Sequence, residues 1–272
     1  MTTGPLRPLT TGELLDRTFA LYREHFGLFF GITALPHLFS FALGLFANPL
    51  RIYLGLNFLG WVWLGALISV LVGAVAHAAT VMAVSEIYLD RTTGVIDAYS
   101  KVQFNIVGVI LLSLLVAMGA GLGAFFFVVP GILLALKWSL VVPVAVLEDQ
   151  GIIDSMSRSA SLTKGYRWRV FVIWILFFAL SLSMTLLFQW PVQIATASAI
   201  THHARYLFPW LNAASTLLKF ISACLAGPLA TIAFSLLYYD LRVRKEAFDL
   251  QYMMDALDSM ASSSAQPSSV LT

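Results

Sequence analysis

Six stretches of this chain are each apolar for about the 20 residues that a helix needs to cross a hydrocarbon core about 30 Å thick. They run from about Phe26 to Ala47, Phe58 to Ser85, Ile106 to Val129, Ile132 to Leu147, Val170 to Trp190 and Lys219 to Tyr239. The third has no ionisable residue, the second only His77, and the first only His37, beside Pro36. The fourth is short and holds Lys137 and Pro143, and the sixth holds Pro228. Hydrophobic residues fill 59% of the 272 positions and charged residues 11%, against about 45–50% and about 25% in soluble domains. So much apolar surface must face something other than water. The chain therefore reads as all-α, a polytopic membrane protein with six transmembrane helices. Val129-Pro130-Gly131 reads as a tight turn that joins the third and fourth spans into a hairpin. The first run follows a polar stretch and lacks a small-residue cleavage site, so it reads as a span and not a signal peptide.

Lys and Arg near span ends orient such a chain. With the N-terminus in the cytoplasm, twelve of them, from Arg7 to Lys245, fall on the inner side, and only Arg51 and Arg205 lie in outer loops. All 14 carboxylates fall inside as well. Tyr53, Trp61, Trp63, Trp190, Tyr206 and Trp210 on the outer side read as an aromatic belt. The expected location is the cytoplasmic membrane, multi-pass, with both termini in the cytoplasm.

A short pattern recurs before the first, third and fifth spans. Thr10-Thr11-Gly12-Glu13-Leu14-Leu15-Asp16-Arg17 opens an amphipathic helix with Leu14, Leu15, Thr18, Phe19, Tyr22 and Phe26 on one face. Gly94-Val95-Ile96-Asp97-Ala98-Tyr99-Ser100-Lys101 and Gly151-Ile152-Ile153-Asp154-Ser155-Met156-Ser157-Arg158 match it. Each places an acid four residues before a base, an order that favours helix. The chain thus reads as three repeats of an interfacial helix plus a helix pair, at about 10–90, 91–150 and 151–245. Residues 1–260 form a single six-span membrane domain. Beyond Asp240 a fourth amphipathic helix begins, with Phe248, Tyr252, Ala256 and Met260 as its apolar face. The Ser-rich segment 261–272 reads as a disordered tail.

Glu86, Glu148 and Asp240 close the second span of each repeat at its inner end. The bases Arg17, Lys101 and Arg158 of the short helices, with Arg167 and Arg169, are their expected partners in an inner-end polar network. Lys137 stands about six residues in from the outer end of the fourth span, about 9 Å deep at 1.5 Å per residue. It either snorkels or lines a polar cavity facing a lipid phosphate or an anionic substrate. Lys137, Arg167 and Arg169 are the candidate lipid or anion contacts. Lys219, at a span end, is expected to snorkel. His37 and His77 are expected to hydrogen-bond neighbouring helices. Gly119 and Gly123, one turn apart, read as a helix-packing face.

Little here points to catalysis. His202 and His203 have no Asp, Glu or Cys beside them outside, so no metal site is expected. No Ser, His and acid are spaced for nucleophilic chemistry. Cys224, the one cysteine, forbids an internal disulfide and reads as a small buried hydrophobe. No cofactor is implied.

Pro130-Gly131-Ile132, Lys137-Trp138, Pro143, Glu148, Gly151, Arg158-Ser159, Leu162, Lys164 and Gly165 together resemble a bacterial integral membrane family. It is the family named after the membrane domain of glycerophosphodiester phosphodiesterases. The stretches Leu9–Arg17 and Leu237–Glu246 are similar to many such proteins, so the likeness covers nearly the whole chain. It implies a six-span fold. It implies no hydrolysis, because the soluble barrel carrying that chemistry has no counterpart here.

Three function classes follow. The first is a non-enzymatic protein that binds membrane lipids, anionic ones foremost, or membrane protein partners in envelope homeostasis. The second is a transporter or lipid translocator, and the third a membrane-associated phosphodiesterase. Nothing points to nucleic acid. The topology is directly testable: reporter fusions after Asn48, Arg91 and His203 should read out, in and out. A fusion at Gln266 should read in, and an outside signal there overturns the orientation.

Overall fold

A computed structural model describes residues 9–46, 55, 57–103 and 106–264. Arg7, Arg51, Tyr53 and residues 265–272 of the expected tail lie outside the described residues. So do the side chains of Arg205, Phe248, Tyr252, Ala256 and Met260. All regular elements among the described residues are helical. In chain order they are α1 (Thr11–Glu24), α2 (Phe26–Leu45), α3 (Phe58–Tyr88), α4 (Val95–Val102), α5 (Ile106–Phe126) and α6 (Val128–Lys137). They continue with α7 (Val141–Leu147), α8 (Ile152–Thr163), α9 (Arg167–Thr201) and α10 (Phe208–Ser264). Among the described residues, six helical segments are long and apolar enough to cross a membrane, α6 and α7 together making the fourth. This is a multi-pass architecture.

The short helices start where their caps dictate. Thr10 and Glu13 form a capping box: the Thr10 hydroxyl accepts the Glu13 N–H at 3.2 Å, and the Glu13 carboxylate accepts the Thr10 N–H at 2.8 Å. At α4 the Asp97 carboxylate accepts the Gly94 N–H at 3.0 Å. The fifth residue of the recurring pattern is fully buried in all three helices, as Leu14, Ala98 and Ser155. The third is exposed in α4 and α8, where Ile96 is 81% and Ile153 80% accessible.

α1 does not lie flat. α1 is held at its start, where Leu9 meets Asp240, yet its Tyr22 hydroxyl donates to the Leu225 carbonyl about 15 residues back along α10. α1 therefore slants into the bundle. α4 and α8 meet the spans through side-chain hydroxyls. The Tyr99 hydroxyl donates to the Ile32 carbonyl at 2.5 Å, and Ser159 to the Lys137 carbonyl at 3.0 Å. Pro36 explains the first of these: it has no N–H for the carbonyl four residues back, which is Ile32. Burial drives the Tyr99 hydroxyl above its ordinary pKa, so it stays a donor.

Three expectations need correction. The turn between the third and fourth spans falls at Phe127, in extended backbone, and not at Pro130-Gly131. Pro130 sits in the first turn of α6, where a missing N–H costs nothing. The fourth span is not continuous: it breaks at residues 138–140, and Pro143 lies beyond the break, in the first turn of α7. The segment between the fifth and sixth spans is mostly helix and not loop. α9 runs 35 residues to Thr201 and α10 begins at Phe208, with a short 3-10 turn Arg205–Leu207 between them. The polar Ser and Thr residues there are compatible with helix once each strand of the hairpin packs on the other, and Gln189 and Ser215 exchange hydrogen bonds across it. The helix expected after Asp240 is likewise a continuation of α10.

Gly123 shows why α5 and α6 pack tightly. A Cβ there would lie 3.1 Å from the Gly131 Cα and 3.2 Å from Leu134, and one at Gly119 would lie 2.9 Å from the Trp138 ring. Gly123→Leu should therefore lower the thermal midpoint in detergent, by the equivalent of about 1–3 kcal/mol of overpacking. Exposed Leu115→Ile should leave the midpoint unchanged, and equal midpoints for the two variants would place this face against lipid.

Candidate functional site

The three span-closing acids gather with their partners at one end of the bundle. Glu86 ends α3 almost buried. Lys101 of α4 meets its carboxylate at 2.6 Å, and Arg91 lies 3.8 Å away. Glu148, just past α7, accepts from Arg158 Nε at 3.1 Å, from Gln150 at 3.1 Å and from the Tyr238 hydroxyl at 2.8 Å. Arg158 also pairs with Glu246, which pairs with Arg242 at 2.8 Å. Arg242 in turn donates to Tyr238 at 3.0 Å. Glu148, Arg158, Glu246, Arg242 and Tyr238 thus close a ring. Burial pulls the Arg158 guanidinium down, and its bonds to Glu246 and Glu148 outweigh that, so its pKa stands above the ordinary value.

Asp240 is the most enclosed of the three, its side chain 0% accessible. Arg169 reaches it at 2.8 Å and Arg244 at 2.9 Å. The other carboxylate oxygen accepts the Leu9 N–H at 2.6 Å. Arg169 and Arg244 both donate to the Leu9 carbonyl, at 2.8 and 2.5 Å. One carboxylate and two guanidiniums thereby hold the entry to α1 against α9 and α10.

Aromatic side chains join these clusters. Tyr88 stacks on Tyr239 at 4.8 Å, Tyr239 meets Tyr238 edge-on at 5.3 Å, and the Tyr239 hydroxyl donates to Ser85 at 3.0 Å. Arg17 was expected among the acid partners. It lies instead over the Tyr88 ring, 5.2 Å from its centre. Beside it opens a cleft of about 430 Å³, lined by Arg17, Glu24, His25, Asp90, Arg91 and Thr93 among others.

The expected anion contacts separate. Arg167 is exposed, but Arg169 is drawn inward to Asp240 and is 13% accessible at its side chain. Lys137 ends α6, which runs unbroken from the hairpin turn at Phe127, and the neighbouring Trp138 ring packs on Gly119 of α5. The Lys137 carbonyl accepts from Ser159 and Thr163 of α8, the helix that carries Arg158. Its ammonium lies 5.7 Å from the Trp138 ring centre.

The sequence signalled the acids and bases by their place at span ends. It did not signal Tyr238, Tyr88 or Glu246, whose roles arise from distant helices. His37 Nδ1 and His77 Nε2 are buried with no hydrogen-bond partner, contrary to expectation. Lys219 does not simply end a span, since it and His37 line two adjoining cavities. Cys224 is free and buried. Among the described residues no group of three His, Cys, Asp or Glu is placed to hold a metal ion.

No family model matches the chain, and neither a curated protein nor a solved structure matches it.

Removing one partner of a buried ion pair leaves the other charged and uncompensated, a loss of about 3–5 kcal/mol. Asp240→Asn should therefore destabilise the protein by about 3 kcal/mol in a detergent unfolding titration. Lys101→Met should cost about 1 kcal/mol or less, because the lysine is 41% accessible. Equal losses would contradict this ranking.

Proposed function

We propose that this chain is an integral protein of the cytoplasmic membrane, with both termini inside, that holds anionic phospholipid headgroups at its charged end. It serves envelope homeostasis by binding lipid or membrane protein partners and breaks no bond itself. One observation carries this reading. Ile96, Ile153 and Trp168 (76% accessible) project from the charged end beside the exposed cations Arg91, Lys164 and Arg167. Such side chains suit acyl chains on one side and phosphates on the other.

The ion pairs support the same reading. The buried carboxylates occupy Lys101, Arg158, Arg169 and Arg244, leaving Lys164 and Arg167 at the surface, where each basic residue adds about 1 kcal/mol of attraction to an anionic leaflet. A threefold repeat and kinship with the glycerophosphodiester phosphodiesterase membrane-domain family belong to this proposal. The common burial of Leu14, Ala98 and Ser155 supports the repeat. A lipid translocator is the second reading, favoured by the prolines within α2, α9 and α10 and by the break between α6 and α7.

Purified protein should retain phosphatidylglycerol over phosphatidylcholine in native mass spectrometry, and the excess should fall as salt rises. Arg167→Gln combined with Lys164→Gln should lower it further without moving the thermal midpoint. Metal-dependent release of glycerol phosphate from glycerophosphodiesters, lost on His202→Ala, would establish the enzyme instead.

A further inference from the structure

α2 and α10 run antiparallel and touch closely at two places. A Cβ on Gly44 would lie 2.5 Å from the Thr216 Cγ2, and one on Gly227 would lie 3.5 Å from the Thr33 Cγ2. The contacts are about 11 residues, or about 16 Å, apart on each helix. Between them the Phe41 and Phe220 rings meet, 5.5 Å apart. A cavity of about 550 Å³ opens there, with His37 and Ser40 from α2, Ser69 from α3, and Asn212, Thr216 and Lys219 from α10 on its wall. A second, of about 290 Å³, lies on the other side of Lys219, with Ser181, Thr185 and Gln189 from α9 and Ser222 from α10. His37 and Lys219 line both.

Among the described residues, no carboxylate lines either cavity. Lys219 therefore has no protein counter-ion there, unlike the buried acids' cations at the charged end. It stands about 20 residues before Asp240 on one continuous helix, so about 30 Å from the charged network. That is one hydrocarbon thickness, which puts the ammonium at the phosphate level of the opposite leaflet. Hydroxyl and amide groups share the walls with Phe41, Trp61, Val72 and Phe220, and the buried His37 Nδ1 lacks a partner. A cation at the edge of a low-dielectric layer, with neutral hydrogen-bonding groups on part of its wall, is suited to an anion.

We propose that the Lys219–His37 cavity pair is a phosphate-ester site, distinct from the charged end and at the other face of the membrane. Lys219 supplies the charge, and the Ser40, Ser69 and Ser222 hydroxyls donate to the phosphate oxygens. The ligand is either a lipid headgroup or a soluble phosphate, which share this chemistry. The inference extends the lipid-binding reading, but its residues are separate from those that carry that reading.

The test uses the full chain in neutral detergent at about 0.5 M salt, which screens the exposed charged end. Phosphatidylglycerol and inorganic phosphate are the probes, each titrated by native mass spectrometry. Lys219→Met should weaken binding about tenfold, while Lys219→Arg should stay within about threefold. Ser222→Leu, which narrows the smaller cavity and keeps the charge, should also weaken it and guards against a misfolded Lys219→Met. Displacement of phosphatidylglycerol by millimolar phosphate assigns a soluble ligand, and no displacement assigns the lipid. Unchanged binding in Lys219→Met, or in folded Ser222→Leu if Lys219→Met does not fold, overturns the site. If only Arg167→Gln with Lys164→Gln reduces lipid binding, the charged-end reading stands and this one falls. If only Lys219→Met reduces it, the reverse holds.

Discussion

A backbone carbonyl freed inside a membrane has no water to turn to, and this bundle is organised around that constraint. Pro36 takes away the partner of Ile32, and the end of α6 exposes Lys137. In each case a hydroxyl from a neighbouring short helix arrives: Tyr99 at Ile32, and Ser159 with Thr163 at Lys137. Tyr22 likewise donates to the Leu225 carbonyl, on the turn of α10 before Pro228. The short helices deliver these hydroxyls by packing against the spans, which also buries Leu14, Ala98 and Ser155.

Once the short helices pack against the spans, their bases are carried to the span ends. Lys101 meets Glu86, and Arg158 meets Glu148. At α1 the arrangement differs, because the Leu9 backbone takes the place beside Asp240, and Arg169 and Arg244 supply the positive charge. Arg17 is left to stack on Tyr88. The result is two unlike faces. One end concentrates carboxylates, guanidiniums and tyrosines in linked clusters, with further cations and large apolar side chains at its rim. The other holds Lys219 among neutral polar groups.

Signals that depend on neighbours in the chain were legible. The six spans follow from apolar runs, the start of the short helices from the recurring pattern at Thr10, Gly94 and Gly151, and the acid–base pairs of Glu86 and Glu148 from their place at span ends. The close approach of α5 and α6 was foreshadowed by Gly119 and Gly123. What failed were inferences that assumed regular geometry or a single environment. A uniform rise carried the fourth span straight through, whereas it breaks at residues 138–140 and sets Pro143 in a new helix. The polarity of residues 191–218 suggested a loop, although a helical hairpin satisfies its own backbone whether or not lipid surrounds it. Lys219 looked like an ordinary end-of-span lysine, and only the packing of α2, α3, α9 and α10 shows the space beside it.

The amino-acid sequence alone determined that this is an all-helical chain with six segments able to cross a membrane and with its charge gathered near particular span ends. Hydrophobic burial and backbone hydrogen bonding act over windows of about 20 residues, so a linear reading captures them. The tertiary structure alone decided which hydroxyl caps which freed carbonyl, which cations the buried acids consume, and where cavities remain. Those outcomes depend on distances between residues in different parts of the chain, such as Tyr99 with Ile32 and Leu9 with Asp240. Such distances are set by how kinked helices pack, a property no single segment contains.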